Sequence, residues 1–149
     1  MTSRGDPLFF CSWSGGKDSC LALSRASRDG GTPRALLTML TEGGVRSRSH
    51  GLAKPVLEAQ AQSLGVSLVT RASTWEHYEV AFRTALAEFR AAGIERGVFG
   101  DIDLQPHLDW VQRVCAAEGI TDAETIVRVE RIVAERTARA AVSAEEVTR

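Results

Sequence analysis

Residues 8–24 read Leu-Phe-Phe-Cys-Ser-Trp-Ser-Gly-Gly-Lys-Asp-Ser-Cys-Leu-Ala-Leu-Ser. The apolar run from Leu8 to Trp13 has the composition of a buried strand. It breaks at Ser14-Gly15-Gly16-Lys17-Asp18-Ser19, and a helix-forming stretch follows at once. A strand that turns through glycines into a helix aims backbone N–H groups and a positive helix end at one spot, a ready seat for phosphate. Gly15 and Gly16 allow close main-chain approach and positive φ. Ser14 and Ser19 add hydroxyl donors, and Lys17 adds a mobile charge. The spacing is neither G-x-x-x-x-G-K-S/T nor G-x-G-x-x-G. The competing reading is a structural strand-to-helix turn.

Working outward, strand and helix patterns alternate. Lys17 to about Ser27 reads as a helix closed by Gly30-Gly31 and Pro33, and Arg34–Thr41 as a second buried strand. A polar loop, Glu42 to Gly51, precedes a helix carrying Ala53, Val56, Leu57, Ala61 and Leu64 at one-stripe spacing. Val66–Val69 is a short third strand. Ser73-Thr-Trp-Glu76 has the capping-box pattern of a helix start, and Tyr78, Phe82, Ala85, Leu86 and Phe89 follow on one face. Gly97–Ile102 supplies a fourth strand with Asp101 at its end, and Pro106 opens a helix with Leu108, Val111 and Cys115 in line. The alternation predicts a three-layer α/β fold, a parallel sheet with helices on both faces. Ligands of such sheets bind beyond the carboxyl ends of the strands. The loop 14–19, the loop of His50, and Gly100-Asp101 all fall there. Thr121–Glu124 and the spacing of Ile126, Val129, Ile132 and Val133 predict one long C-terminal helix.

The chain has 149 residues, 44% hydrophobic and 25% charged, with a formal charge of −1. This suits one globular domain with a core and gives no bulk field for nucleic acid or an anionic membrane. Arg46-Ser47-Arg48 reads as a solvated loop. No membrane span or signal peptide is legible. Cys11, Cys20 and Cys115 are scattered, which fits reduced thiols in the cytoplasm, with Cys11 and Cys20 as buried structural thiols.

The loop resembles the PP-loop of the ATP-pyrophosphatase superfamily, S-G-G-x-D-S. The resemblance extends to the diphthine–ammonia ligase family through Ser49-His50-Gly51-Leu52 before Glu58-Ala-Gln-Ala61, then Trp75 to Glu79, Val98 to Ile102, and His107 to Trp110 before Val114-Cys115. These segments stand in family order over roughly residues 8–120. The resemblance implies an adenine nucleotide alpha hydrolase-like, Rossmann-like fold, with residues 1–120 as an ATP-binding domain and 121–149 as a helical extension. It also implies ATP cleaved between its α and β phosphates. A carboxylate is adenylated, pyrophosphate leaves, and ammonia displaces AMP to give an amide. In eukaryotes and archaea the carboxylate is borne by a modified histidine of a translation elongation factor. The family continues with a Pro-Leu-Trp strand and a Gly-Glu-x-Gly-Glu-Phe-type region. Residues 120–149 carry neither, so a minimal form using a partner, a truncated paralogue and an inactive chain are all expectations.

The pyrophosphate leaving group needs its charge stabilised in place. Backbone N–H groups from Gly15 to Asp18, with Ser14, Ser19 and Lys17, are the candidates. Asp18 either holds Mg²⁺ or caps the helix. Asp101, after Gly100, is the best carboxylate for Mg²⁺ or for orienting the amine, or else a turn cap. His50 contacts phosphate or moves a proton, or is polar surface that only the resemblance raises to a site residue. Cys11 and Ser12 approach the adenine edge by topology alone. Trp110 and Tyr78 read as packing residues, and Glu79 faces either cleft or solvent. The acceptor acid and the amine source are unnamed by the sequence. A tRNA-modifying relative would want paired cysteines or a basic surface, and a reductase relative a C-terminal cysteine; neither is present. A non-catalytic ATP- or AMP-binding module is the other alternative. A homodimer is one way to cover the C-terminal helix stripe, and packing on its own sheet is another.

Overall fold

The computed structural model describes residues 7–100 and 105–120. The strands are β1 (Leu8–Ser12), β2 (Thr32–Leu40), β3 (Ser67–Ala72) and β4 (Arg96–Val98); the helices are α1 (Lys17–Arg28), α2 (Lys54–Leu64), α3 (Tyr78–Ala91) and α4 (Gln105–Ala117). The strands form one parallel sheet in the order β3-β2-β1-β4. The chain moves outward from β1 to β3, then returns to the far side of β1. With crossovers of one hand, that reversal puts the last two helices on the opposite face from the first two.

The side-chain alternation of the strands matches. Phe9, Cys11, Leu36 and Leu40 pack with Ala22, Leu23, Leu57 and Ala61 of α1 and α2. Phe10, Leu37 and Met39 pack with Phe82, Leu86, Phe89, Val111 and Val114 of α3 and α4. Both sheet faces are therefore covered, as nearly continuous apolar runs such as Ala35–Leu40, broken only by Thr38, require. Phe10 anchors the second face, stacked on Phe89 at 4.9 Å and edge-on to Phe99 at 5.7 Å.

Several details differ from the pattern. Val56 and Leu64 of the α2 stripe are exposed, leaving Leu57 and Ala61 as the buried pair. The Ser73–Glu76 pattern does not start α3, which begins at Tyr78 after His77. Ser73 is instead buried, its N–H donating to Leu40 O at 3.3 Å. Cys11 and Cys115 are buried, but Cys20 is exposed because it lies off the α1 face that meets the sheet. The predicted helix beyond Thr121 and the end of the fourth strand, Asp101 and Ile102, lie outside the described residues. No helix among the described residues is long and apolar enough to cross a membrane.

Candidate functional site

The sheet reverses direction between β1 and β4, and the crevice at their carboxyl ends is where such sheets take ligands. The chain leaving β1 is pinned first. Trp13 N–H donates to Leu37 O at 2.8 Å, and the Thr38 hydroxyl donates to Trp13 O at 2.6 Å. The loop then turns through Gly15, whose φ of 81° is open to glycine without strain. Gly16 takes φ −93°, so its need is space, not positive φ: a Cβ there would lie 2.9 Å from His50 Nε2.

Gly16 is the N-cap of α1 with no side-chain cap, so Asp18 does not use the capping role open to it. The first intrahelical bond is Cys20 N–H to Gly16 O at 3.2 Å. The N–H groups of Lys17, Asp18 and Ser19 precede it and have no partner among the described residues. These are the orphan donors of a helix start, at its positive end. The hydroxyls are occupied internally. Ser14 Oγ and Ser19 Oγ lie 3.1 Å apart, Gly16 N–H donates to Ser14 Oγ at 3.2 Å, and Ser19 Oγ donates to Gly16 O at 3.1 Å. Lys17 is exposed beside them.

Two contacts fix this turn from outside. Gln60 of α2 accepts from Trp13 Nε1 at 2.9 Å and donates through Nε2 to Gly15 O at 3.2 Å. It ties the loop to the strand before it, a role no local pattern shows. Gly100 presses on the other side, where a Cβ would meet Asp18 O at 2.3 Å and Ser19 N at 2.9 Å. Glycine there lets the end of β4 lie against the first turn of α1.

The segment 41–53 is not the solvated loop its arginines suggest. Ser47 is buried, its N–H donating to Leu52 O at 2.9 Å and its Oγ accepting Leu52 N–H at 3.0 Å. Arg46 is exposed and donates to Gly51 O at 2.8 Å. Arg48 is half-buried, with its N–H on Met39 O at 3.0 Å, a guanidinium nitrogen on Ser73 O, and its Cζ 4.4 Å from the Trp75 ring centre. The hairpin thus sends His50 toward Gly16 and Arg48 toward α3.

A small chamber of about 90 Å³ lies under the loop, touching Ser12, Ser14, Ser19, Gly100 and Arg48. A wider one of about 430 Å³ lies outside it, walled by Trp75, Tyr78, Glu79 and Trp110. They share Arg48, Ser49, Tyr78, His107 and Trp110, so they adjoin along one cleft wall. Tyr78 and Trp110 therefore pack and face the cleft together, their rings 5.9 Å apart. Burial pushes the Tyr78 phenol above its usual range, against the pull of the Arg48 charge. Glu79 takes Trp110 Nε1–H at 2.9 Å and Arg113 at 2.7 Å, which hold its carboxyl below the usual range. Cys11 lies on the α1 side, paired to Leu36 and Val98, and burial pushes its thiol to about 12.

Ser12, Ser14, Ser19 and Gly100 thus meet at one chamber, with Gly15, Gly16, Lys17, Asp18 and His50 along the adjoining turn. Asp101 lies outside the described residues. No cluster of three or more His, Cys, Asp or Glu side chains able to hold a metal occurs among the described residues. Asp18 is the carboxylate of the first turn, which fits Mg²⁺ carried largely by phosphate oxygens and water.

A parallel sheet with this strand order, a Ser-Gly-Gly-Lys-Asp-Ser turn at its switch point and helix-start amides without a partner among the described residues define a PP-loop α/β domain of the Rossmann-like class. Residues 10–122 match the family model described as the diphthamide synthase N-terminal domain, and the chain belongs to that family. No curated protein matches the chain.

Proposed function

We propose that the protein binds ATP through residues 14–19 and acts as an AMP-forming amide ligase. What supports this most is the set of N–H groups of Lys17, Asp18 and Ser19, without a partner among the described residues and beside a cleft at the sheet's switch point, in a chain of this family. Amides fixed in a helix start need no reorganisation to stabilise a polyphosphate as its charge grows. Lys17 is long enough to follow a phosphate oxygen, and His50, beside Gly16, is assigned to phosphate contact or proton transfer.

In the reaction, a carboxylate oxygen of the acceptor attacks the α phosphorus of ATP. The bond from that phosphorus to the bridging oxygen breaks, and its electron pair leaves with pyrophosphate. Ammonia then attacks the acyl carbon of the mixed anhydride, the bond to AMP breaks, and the nitrogen loses a proton. Mg²⁺ supplied with the nucleotide offsets phosphate charge; Asp18 and Asp101 are the residues that would hold it. Ser12 and Gly100, on the chamber wall, are assigned to the nucleotide.

The test is pyrophosphate release from ATP with ammonium and a panel of carboxylic acids. Lys17→Ala and Asp101→Ala are expected to cut turnover by roughly 100-fold or more while the thermal midpoint changes little. Full activity in both would overturn the assignment. A second reading is an ATP-binding module that works with a partner, favoured by the description of the matched family unit as an N-terminal domain. ATP binding without any turnover would select it.

A further inference from the structure

β3 closes one side of the sheet, and its outer edge pairs with no strand among the described residues. Ser73 N–H donates to Leu40 O of β2, so by alternation the N–H and C=O groups of Leu68 and Thr70 point outward. Exposed edges are commonly guarded by proline, lysine or a bulge. Ser67–Ala72 has no proline, no lysine and an unbroken register with β2. Its one charge, Arg71, is matched by Glu88 and also donates to the Thr70 carbonyl, which keeps a second lone pair.

Apolar surface gathers along the same edge. Val45, Val56 and Leu64 are 63%, 46% and 42% exposed. Val45 follows Gly44, where a Cβ would lie 3.8 Å from that of Ala72 at the end of β3, and its carbonyl takes Lys54 N–H at 3.0 Å. Val56 stands in the first turn of α2 and Leu64 at its end, just before β3. The buried face of α2, Leu57 and Ala61, packs with Leu68 of β3, so the helix lies over this edge. Single exposed apolar side chains are ordinary, but a row of them beside a bare strand has the composition of an interface.

We propose that the β3 edge is a dimer surface and that its occupant is a second copy of this chain, paired antiparallel about a two-fold axis at Val69. The outward groups then form the hydrogen-bonded pairs: Leu68 exchanges backbone bonds with Thr70 of the second copy on each side of the axis, and Val69 faces its own mate. This register sets Arg71 against the small Ser67 of the second copy and opposes no like charges. The two α2 helices lie on one face of the joined sheet and run in opposite directions. Val56 of each therefore approaches Leu64 of the other, and the apolar row covers itself. The carboxyl ends of the two sheets point opposite ways, which leaves both clefts open, and nothing in the pairing requires a nucleotide.

The test is sedimentation velocity on the full chain across the micromolar range, where the parent should run as a dimer. Thr70→Pro removes an outward N–H and none that β2 uses, so the fold should survive and dimer affinity should fall by about tenfold or more. Leu64→Lys should weaken the dimer too, by setting an unpaired charge against Val56 of the second copy, and adding Val56→Glu should restore it, because each lysine then meets a glutamate. Val80→Glu, at an exposed valine on α3, is the control and should leave the dimer intact. In a Cys20→Ser background, Val69→Cys should give an intermolecular disulfide on mild oxidation, since a non-hydrogen-bonded pair brings its two Cβ atoms close. A monomeric parent overturns the proposal. So does a dimer indifferent to both Thr70→Pro and Leu64→Lys, one equally weakened by Val80→Glu, or one in which Val69→Cys fails to cross-link. Should Thr70→Pro not fold, Leu64→Lys and its rescue decide the matter; no dissociation, or no rescue, counts against the pairing.

Discussion

Gly100→Ala probes the meeting of β4 with the phosphate turn. The added Cβ would sit 2.3 Å from Asp18 O, 2.6 Å from Asp18 C and 2.9 Å from Ser19 N, all main-chain atoms that no rotamer change can clear. Restoring ordinary contact requires the first turn of α1 to retreat by about 1 Å, an overpacking that costs roughly 1–3 kcal/mol and lowers the melting temperature by roughly 3–10 °C in a domain of this size. The same retreat carries the N–H groups of Lys17, Asp18 and Ser19 away from a bound phosphate. Lengthening these charge-assisted bonds by that much should weaken ATP-analogue binding by about 100-fold. Gly97→Ala is the matched control. Its Cβ would meet the Phe10 ring at 2.8 Å and the Phe99 ring at 2.9 Å, a milder clash, with side chains of the core and not with the main chain of the turn. It should lose stability and keep its affinity. Calorimetric titration with α,β-methylene-ATP at a temperature where both variants are folded reads the difference. Affinity of folded Gly100→Ala within twofold of the parent, or an equal loss in Gly97→Ala, would refute the coupling of β4 to the turn.

Gln60→Leu removes both ties between Trp13 and Gly15 while keeping the side chain's volume; it should raise the analogue's Kd by roughly fivefold to tenfold with little change in melting, and an unchanged Kd would show that the loop holds its shape unaided. Thiol labelling of the native protein near neutral pH should modify Cys20 quickly, and Cys11 and Cys115 only on unfolding, since burial pushes both of the latter to about 12; rapid labelling of all three contradicts the packing. The Glu79 carboxyl is held below its usual range by Arg113 and Trp110, so its contribution is present above the unfolded carboxylate's pKa and fades as pH falls through the lower folded one. Parent and Glu79→Gln melting temperatures should therefore differ at neutral pH and converge in acid, with a constant difference counting against the contact.

Much of this was legible in order along the chain. The strand–turn–helix at Leu8–Ser19 and the four-fold alternation needed only apolar periodicity and glycine placement, and those are local properties. The convergence of Ser14, His50 and Gly100 at the carboxyl end of the sheet followed from the same alternation, whereas the strand order β3-β2-β1-β4 that sets the reversal at β1 did not. What escaped depended on contacts across long stretches of sequence. Gln60 reaches Gly15 over 45 residues, and no spacing rule marks a glutamine on a helix as a clamp. Arg48 looked like solvated charge because its neighbours are polar; burial of Ser47 against Leu52 turns the segment so that Arg48 enters the cleft. The Ser73–Glu76 pattern satisfied a capping rule, but pairing of Ser73 with Leu40 extended the β3 backbone past the point where a helix would begin. Glu79 was undecided by spacing because its partners, Trp110 and Arg113, come from another helix.

The most direct measurement is a crystal structure of the full chain with α,β-methylene-ATP and Mg²⁺. The phosphates should lie against the N–H groups of Lys17, Asp18 and Ser19, with the Ser14–Ser19 hydroxyl contact opened toward them. A nucleotide bound elsewhere, or a turn that keeps its internal bonds and touches no phosphate, would contradict the assignment.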